Sequence, residues 1–340
     1  MANFTPSNLV KAQAILKDRF PQEEMRKRQA AALVVAMRNN DVLIPSHRTL
    51  RTREDRTVEA YVMSRQQRTP GTARVAEHTG NRGDSFAVSL TWNSFVDPFS
   101  ISIKQMDTNV FSFEEALATL LRNSAINIHE AIETAGIDYL IANKTQINNA
   151  TQNGTFNAAN DAFEIGADKQ KQFYQIAKSM MRQNKYKGRF DVIASPQTFV
   201  DAEFNLAQGN ANAVNTAFQF ADLNIIESVE LEDANYAGGI SLVMPENTFG
   251  VLPWIPKQNR EGWGDGELNE VGRFMSIPDP LGSGMDMALS VYAKRGDTSA
   301  SNGNAQDVVL QFELSVDVAW ILAPLSTATE SVVYEVAQMQ

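Results

Sequence analysis

Residues 112–143 constrain the fold more than any other stretch. Ser112-Phe113-Glu114-Glu115 is a capping box: the serine hydroxyl can accept from the Glu115 amide while the Glu115 carboxylate reaches back. Behind it Leu117, Leu120, Leu121, Ser124, Ile128, Ala131, Ile132 and Ala135 form a continuous stripe at three- and four-residue spacing. A helix from Phe113 to about Asn143 is roughly 45 Å long at ~1.5 Å per residue, where a typical helix has about 11–12 residues. Gly136 is a candidate bend in it. The clearest strand is near the other end, where Leu310, Phe312, Leu314, Val316, Val318 and Trp320 alternate with Gln311, Glu313, Ser315, Asp317 and Ala319. One buried and one polar face is the pattern of an antiparallel sheet.

The first forty residues read as two short helices separated by Phe20-Pro21. In the second, Ala30, Leu33, Val34 and Met37 fall at helical spacing, and Asn39-Asn40 and Pro45 end it. Short amphipathic helices at a terminus cannot bury themselves, so this stripe is expected to pack elsewhere and to serve assembly more than folding. Residues 46–92 have the outline of a hairpin. Thr57 to Met63 forms one strand, and the alternation of Phe86, Val88, Leu90 and Trp92 forms the other. About twenty polar residues separate them, with turns at Thr69-Pro70-Gly71 and Gly80-Asn81-Arg82-Gly83. So long a loop suits an arm that leaves the body better than a loop within it. Phe99, Ile101 and Ile103 then predict a further strand.

Asn-rich sequence from Lys144 to Asn160 marks a break before an α/β-like unit. A helix is predicted over Asp168–Asn184, then the strand Phe190–Ser195, with Pro196 where the next helix begins. Strands are expected at Asn224–Leu231, Ile240–Met244 and Phe249–Ile255. The Gly-, Pro- and charge-rich stretch from Asn259 to Gly284 predicts a long surface loop. The class is α+β.

The charge is unevenly distributed. Residues 1–83 carry 15 Lys/Arg against 8 Asp/Glu, whereas residues 84–340 carry 15 against 32. A basic arm reaching across an acidic body, its own or a neighbour's, is one reading, and two solvated faces the other. The chain has no cysteine, which removes disulfides, thiolate metal sites and cysteine nucleophiles. The polar N-terminus does not read as a signal peptide, and the apolar run Ala30–Met37 is far short of the roughly 20 residues of a span. A soluble protein with no membrane partner is expected.

No constellation points to catalysis. His47, His78 and His129 lack metal-ligand spacing and are expected at the surface or an interface. Ser195 follows a strand, but Ala194 and Pro196 flank it where a nucleophile elbow has glycines. Asp265, Glu267 and Glu270 miss the spacing of a calcium loop. Neither a cofactor nor a metal is predicted. The basic third contains no nucleic-acid-binding module and supports at most sequence-independent phosphate contact.

The order of elements resembles the Hong-Kong-97-like major capsid fold of tailed phages, over nearly the whole chain and by architecture rather than by a short motif. The resemblance implies an N-terminal arm at 1–47 and an extended β-hairpin loop at 48–92. It implies a peripheral domain at 93–164 with a spine helix at 113–143, an axial domain at 165–300, and a peripheral return strand and C-terminus at 301–340. It further implies pentamers and hexamers closing an icosahedral shell around double-stranded DNA, assembled in the host bacterial cytoplasm as part of the virion. The partners it implies are other copies of the chain, a portal, possible decoration proteins, non-specific contact with packaged DNA, and a separate scaffolding protein, since only about 45 residues precede the loop. Arg51, Arg53, Arg56, Arg65, Arg68, Arg74 and Arg82, with Leu33, Val34 and Met37, are the candidate subunit-interface residues. Members that crosslink use a loop lysine, and none occurs here between Lys27 and Lys104. An encapsulin-like nanocompartment shell, another phage structural protein and an α+β hydrolase remain as alternatives.

Overall fold

A computed structural model of the protein describes residues 4–63, 85–102, 111–144, 153–184, 186–209, 222–264, 273–295, 308–323 and 333–339. Helices α1 (Pro6–Arg19), α2 (Gln22–Arg26), α3 (Ala31–Leu43) and α4 (His47–Arg51) come first. Strands β1 (Glu59–Met63), β2 (Ser85–Ser89) and β3 (Trp92–Ser102) follow. The long helix is α5 (Phe113–Ala142), and its capping box is formed: Glu115 N–H donates to Ser112 Oγ at 3.3 Å and Ser112 N–H to Glu115 Oε2 at 2.8 Å.

The buried stripe of α5 lies over a five-stranded sheet. Its order is β10 (Arg273–Pro278), β11 (Asp286–Arg295), β12 (Val308–Leu322), β3, with β9 (Phe249–Trp254) beside β11 on the same edge of β12. The pairing is antiparallel throughout. Register puts Phe99 opposite Phe312; their rings stack at 5.1 Å and Phe4 meets Phe312 edge-on at 5.4 Å. Two expectations are corrected. The 259–284 stretch contains α8 (Lys257–Glu261) at its start and β10 within it, a six-residue strand hidden between glycines and prolines. The alternation of β12 also fails in its second half. Gln311 and Glu313 are exposed, but Asp317 and Ala319 are buried, because α4 and the root of the hairpin cover that end.

A second, six-stranded mixed sheet has the order β4 (Thr155–Asn157), β5 (Ala162–Ile165), β13 (Tyr334–Gln338), β8 (Ile240–Pro245), β6 (Phe190–Ala194), β7 (Leu223–Glu227). Helix α6 (Phe173–Gln183) packs its buried Phe173, Tyr174, Ile176 and Met180 here, and α7 (Pro196–Gly209) starts on Pro196 as expected. Sheet membership does not follow chain order. Strands β9 to β11 belong with β12 and β3, and β13 is inserted between β5 and β8. Strand pairing, not chain order, decides this. All five residues of β13 are buried, so it needs cover on both faces. Lys144, just beyond α5, anchors the insertion through Glu335 at 2.7 Å. Burial raises the Glu335 carboxyl above its ordinary range, and Lys144 offsets part of that shift.

The N-terminal segment departs most from expectation. Helix α3 is part of the core: Leu33, Val35 and Ala36 are fully buried, and Met37 packs against the same cluster. The stripe therefore has its partner within the chain, in β9 and α5. Leu33 lies in that core and not on a free face; Val34 is half-buried. The sequence before α3 offers no capping side chain, and α5 supplies two. Ala30 N–H donates to His129 Nδ1 at 3.1 Å and Ala32 N–H to Glu133 Oε2 at 3.0 Å, one helical turn apart.

His129 is thus buried, not at the surface. With Nδ1 accepting, its proton sits on Nε2 and donates to Asp279 Oδ2 at 3.0 Å. Asp279 also accepts from the amides of Leu281 and Ser283. Burial pushes the Asp279 carboxyl up, but the His129 contact and these hydrogen bonds outweigh it and hold the carboxyl below its ordinary value. Glu133 goes the other way: burial raises it, against its bonds to Ser228 and the α3 amides.

Gly136 serves close approach. A Cβ there would stand 2.7 Å from Ala32 Cβ and 2.9 Å from Trp320 Cζ2, so α3 and β12 can approach α5 only over a glycine. The variant Gly136→Leu is expected to lower the urea midpoint by the equivalent of about 3 kcal/mol, the upper end of overpacking penalties. An unchanged midpoint would show that the three elements can separate freely.

Candidate assembly surface

The basic segment after α4 is laid onto the chain's own acidic body. Arg56 Nε is 3.1 Å from Asp317 Oδ2, and its guanidinium lies 5.6 Å from the Trp254 ring centre. Arg51 Nη2 is 3.7 Å from Asp286 Oδ2. Arg53 contributes its carbonyl, which accepts from Trp254 Nε1 at 3.1 Å and from Arg260. Lys257 pairs with Glu54 and lowers that carboxyl. Trp92 Nε1 donates to the Thr57 carbonyl at 2.9 Å, tying β3 to the start of β1.

These contacts form the root of the β1–β2 hairpin. The strands pair antiparallel, with Tyr61 opposite Ala87, and neither joins another strand among the described residues. Ala60 and Leu90 are buried in a satellite cluster with Leu50, Leu252 and Ile321. Val58 and Tyr61 are instead 73% and 63% exposed. An isolated two-stranded ribbon is marginal in water, so these apolar side chains gain stability only under a covering surface.

Of the ten expected interface residues, three arginines and three apolar residues lie in the described part. Arg51 and Arg56 have carboxylate partners in their own chain, and Leu33, Val34 and Met37 belong to α3, packed as above. Arg65, Arg68, Arg74 and Arg82 lie outside the described residues, as do His78, Asp265, Glu267 and Glu270. Trp254, Arg260, Asp286 and Asp317 were not read as partners. Alternation assigns Asp317 to the solvent face of β12, yet it is buried, whereas Asp286 at the start of β11 is exposed.

Ser195 Oγ is buried, accepts from Ile240 N–H at 3.1 Å and sits in a hydroxyl cluster with Thr198 and Ser241. Among the described residues no three metal-ligating side chains converge, and no helix is long and apolar enough to cross a membrane.

No family model matches the sequence, and no curated protein matches it. Solved structures do. One described as Mycobacterium phage Che8 is similar at TM-score 0.47 and 12% identity, over 88% of this chain and 90% of that one. The capsid of Ralstonia phage GP4 is similar at 0.46 and 10%, over 83% of each chain. The SrpI encapsulin complex of Synechococcus elongatus is similar at 0.39 and 10%, over 75% of each. All three scores are below 0.5, so the α+β architecture is argued from the chain's own elements.

Proposed function

We propose that this chain is the major capsid protein of a tailed bacteriophage, a structural subunit that assembles into pentamers and hexamers around double-stranded DNA. The order and pairing of elements carry this reading. A 30-residue helix lies on an antiparallel sheet of strands from distant parts of the chain, a hairpin leaves that sheet, and a second mixed sheet is built largely between the helix and the return strand. The same order led the sequence to resemble the Hong-Kong-97-like fold. The exposed Val58 and Tyr61 support it further, since a neighbouring subunit under the hairpin would cover them. Scaffolding, portal and decoration proteins are the further partners this reading implies, and the virion is the location.

Electron microscopy of the expressed chain tests the proposal. Closed shells of uniform size are expected; a chain that stays monomeric at assembly concentrations overturns it. Nucleic acid content of particles recovered from infected cells separates a genome shell from a nanocompartment. The shells are also expected to lack covalent links. With no lysine between Lys27 and Lys104 the loop has no amine to form an isopeptide bond, so boiled mature particles should run as one band near the 37.6 kDa of the chain. A ladder of multimers would contradict this.

A further inference from the structure

A recess of about 310 Å³ opens beside the hairpin root, between α4, β9 and the start of β11. Among the described residues three arginines line it, Arg48, Arg51 and Arg260, together with Trp254, Pro253 and one carboxylate, Asp286. Arg48 and Arg51 each have one carboxylate, at the outer edge of ion-pair range. Arg48 reaches Asp41 only at 3.7 Å, with both side chains exposed, and Arg51 reaches Asp286 only at 3.7 Å. Arg260 spends its hydrogen bonds on the Arg51 and Arg53 carbonyls while lying 6.0 Å from the Trp254 ring centre. Those contacts fix its position but leave its charge in place. With three arginines against one carboxylate in its described lining, the recess is a cationic socket on a protein of net charge −10.

The geometry points to this socket as the seat of a carboxylate side chain from a second copy of the chain. The inference rests on the shell reading and names a surface through which copies meet. Guanidinium forks match carboxylate geometry and keep their charge at any working pH. The donor is abundant, since residues 84–340 carry 32 acidic against 15 basic residues. A nucleic-acid strand fits less well. It presents a continuous line of phosphates and needs a basic track, whereas the surroundings of this socket include Asp41, Glu54 and Glu261. The wall of Trp254 and Pro253 also suits the methylenes of a Glu or Asp side chain.

The test compares wild type with the double variant Arg48→Glu, Arg51→Gln, full-length, by sedimentation velocity across a salt series. Circular dichroism and the thermal midpoint serve as the folding control, and Arg48→Lys as the conservative variant. The expected result is at least a tenfold loss of self-association in the double variant, with the folding control unchanged and a smaller loss in Arg48→Lys, which keeps the charge but not the fork. Wild-type association should weaken with salt more steeply than what remains in the variant. If the double variant assembles like wild type, the socket is overturned while the shell reading stands. If wild type itself stays monomeric, both fall. Loss of binding to a 20-base-pair DNA duplex with unchanged self-association would assign the socket to nucleic acid and overturn the proposal. Should the double variant misfold, Arg48→Glu alone decides, because Arg48 is exposed and its one paired carboxylate is exposed too.

Discussion

A chain lacking residues 1–45 is expected to be insoluble or unfolded, not a soluble subunit defective in assembly. The deletion removes Leu33, Val35, Ala36, Leu43 and Ile44, all buried. Burial of a Val, Leu or Ile side chain is worth about 1.5–3 kcal/mol. The apolar loss is thus on the order of 10 kcal/mol, comparable to the roughly 5–15 kcal/mol that holds a typical protein folded. Polar losses add to it. Asp191, buried in β6, would lose Arg38 and Asn39, and the Val251 amide would lose the Asn40 side chain. Expression trials with circular dichroism check this. A soluble product with native-like spectrum and a cooperative melt would show that α3 is dispensable to the core.

The second large effect is expected at His129. The variant His129→Leu leaves the Ala30 amide without its acceptor and takes from Asp279 its one side-chain donor from another element. A buried orphan amide costs about 1–3 kcal/mol, and a lost hydrogen bond to a charged group about 1.5–3. Their combination predicts a destabilisation of about 3–5 kcal/mol, measured by denaturant unfolding. By contrast Glu133→Gln is expected to be near neutral. The carboxyl is raised by burial, so the fold already disfavours its charged form, and the amide oxygen can still accept from Ala32. The pH dependence separates the pair. Asp279, held low, contributes stability above its unfolded value and loses it as pH falls through the folded one. Glu133, held high, contributes below its unfolded value and loses that as pH rises through the folded one. Glu133→Gln should therefore flatten the loss on the alkaline side of the carboxylate range and leave the acid limb intact. A variant that steepened the alkaline loss would reverse the assignment.

Much of the architecture was legible because local signals were strong. The capping box and stripe placed α5 within a residue of its observed end, and the alternation of Leu310 to Trp320 located β12. Both strands of the hairpin were located, although the second ends at Ser89 and Trp92 opens β3. Less legible were elements whose neighbours are far away in sequence. Strand β13 is five residues long, and only its place between β5 and β8 distinguishes it. The basic segment was legible as a charge asymmetry, but which arginine meets which carboxylate was not. Arg56 finds Asp317 across 261 positions because β12 runs beneath the segment, which no spacing rule reports.

The sequence by itself determined the class of the fold, the long helix, its cap, the main strands, and the split between a basic start and an acidic remainder. Each follows from periodicity or composition, which act over a few residues or over the whole chain. The tertiary structure decided the rest. It placed α3 in the core, because a helix with no capping residue of its own is completed by His129 and Glu133 of α5. It made Gly136 a contact point, because Ala32 and Trp320 arrive at the same spot from opposite ends of the chain. It also turned part of the basic arm inward, because Asp286 and Asp317 come to lie under Arg51 and Arg56 only after β11 and β12 have paired.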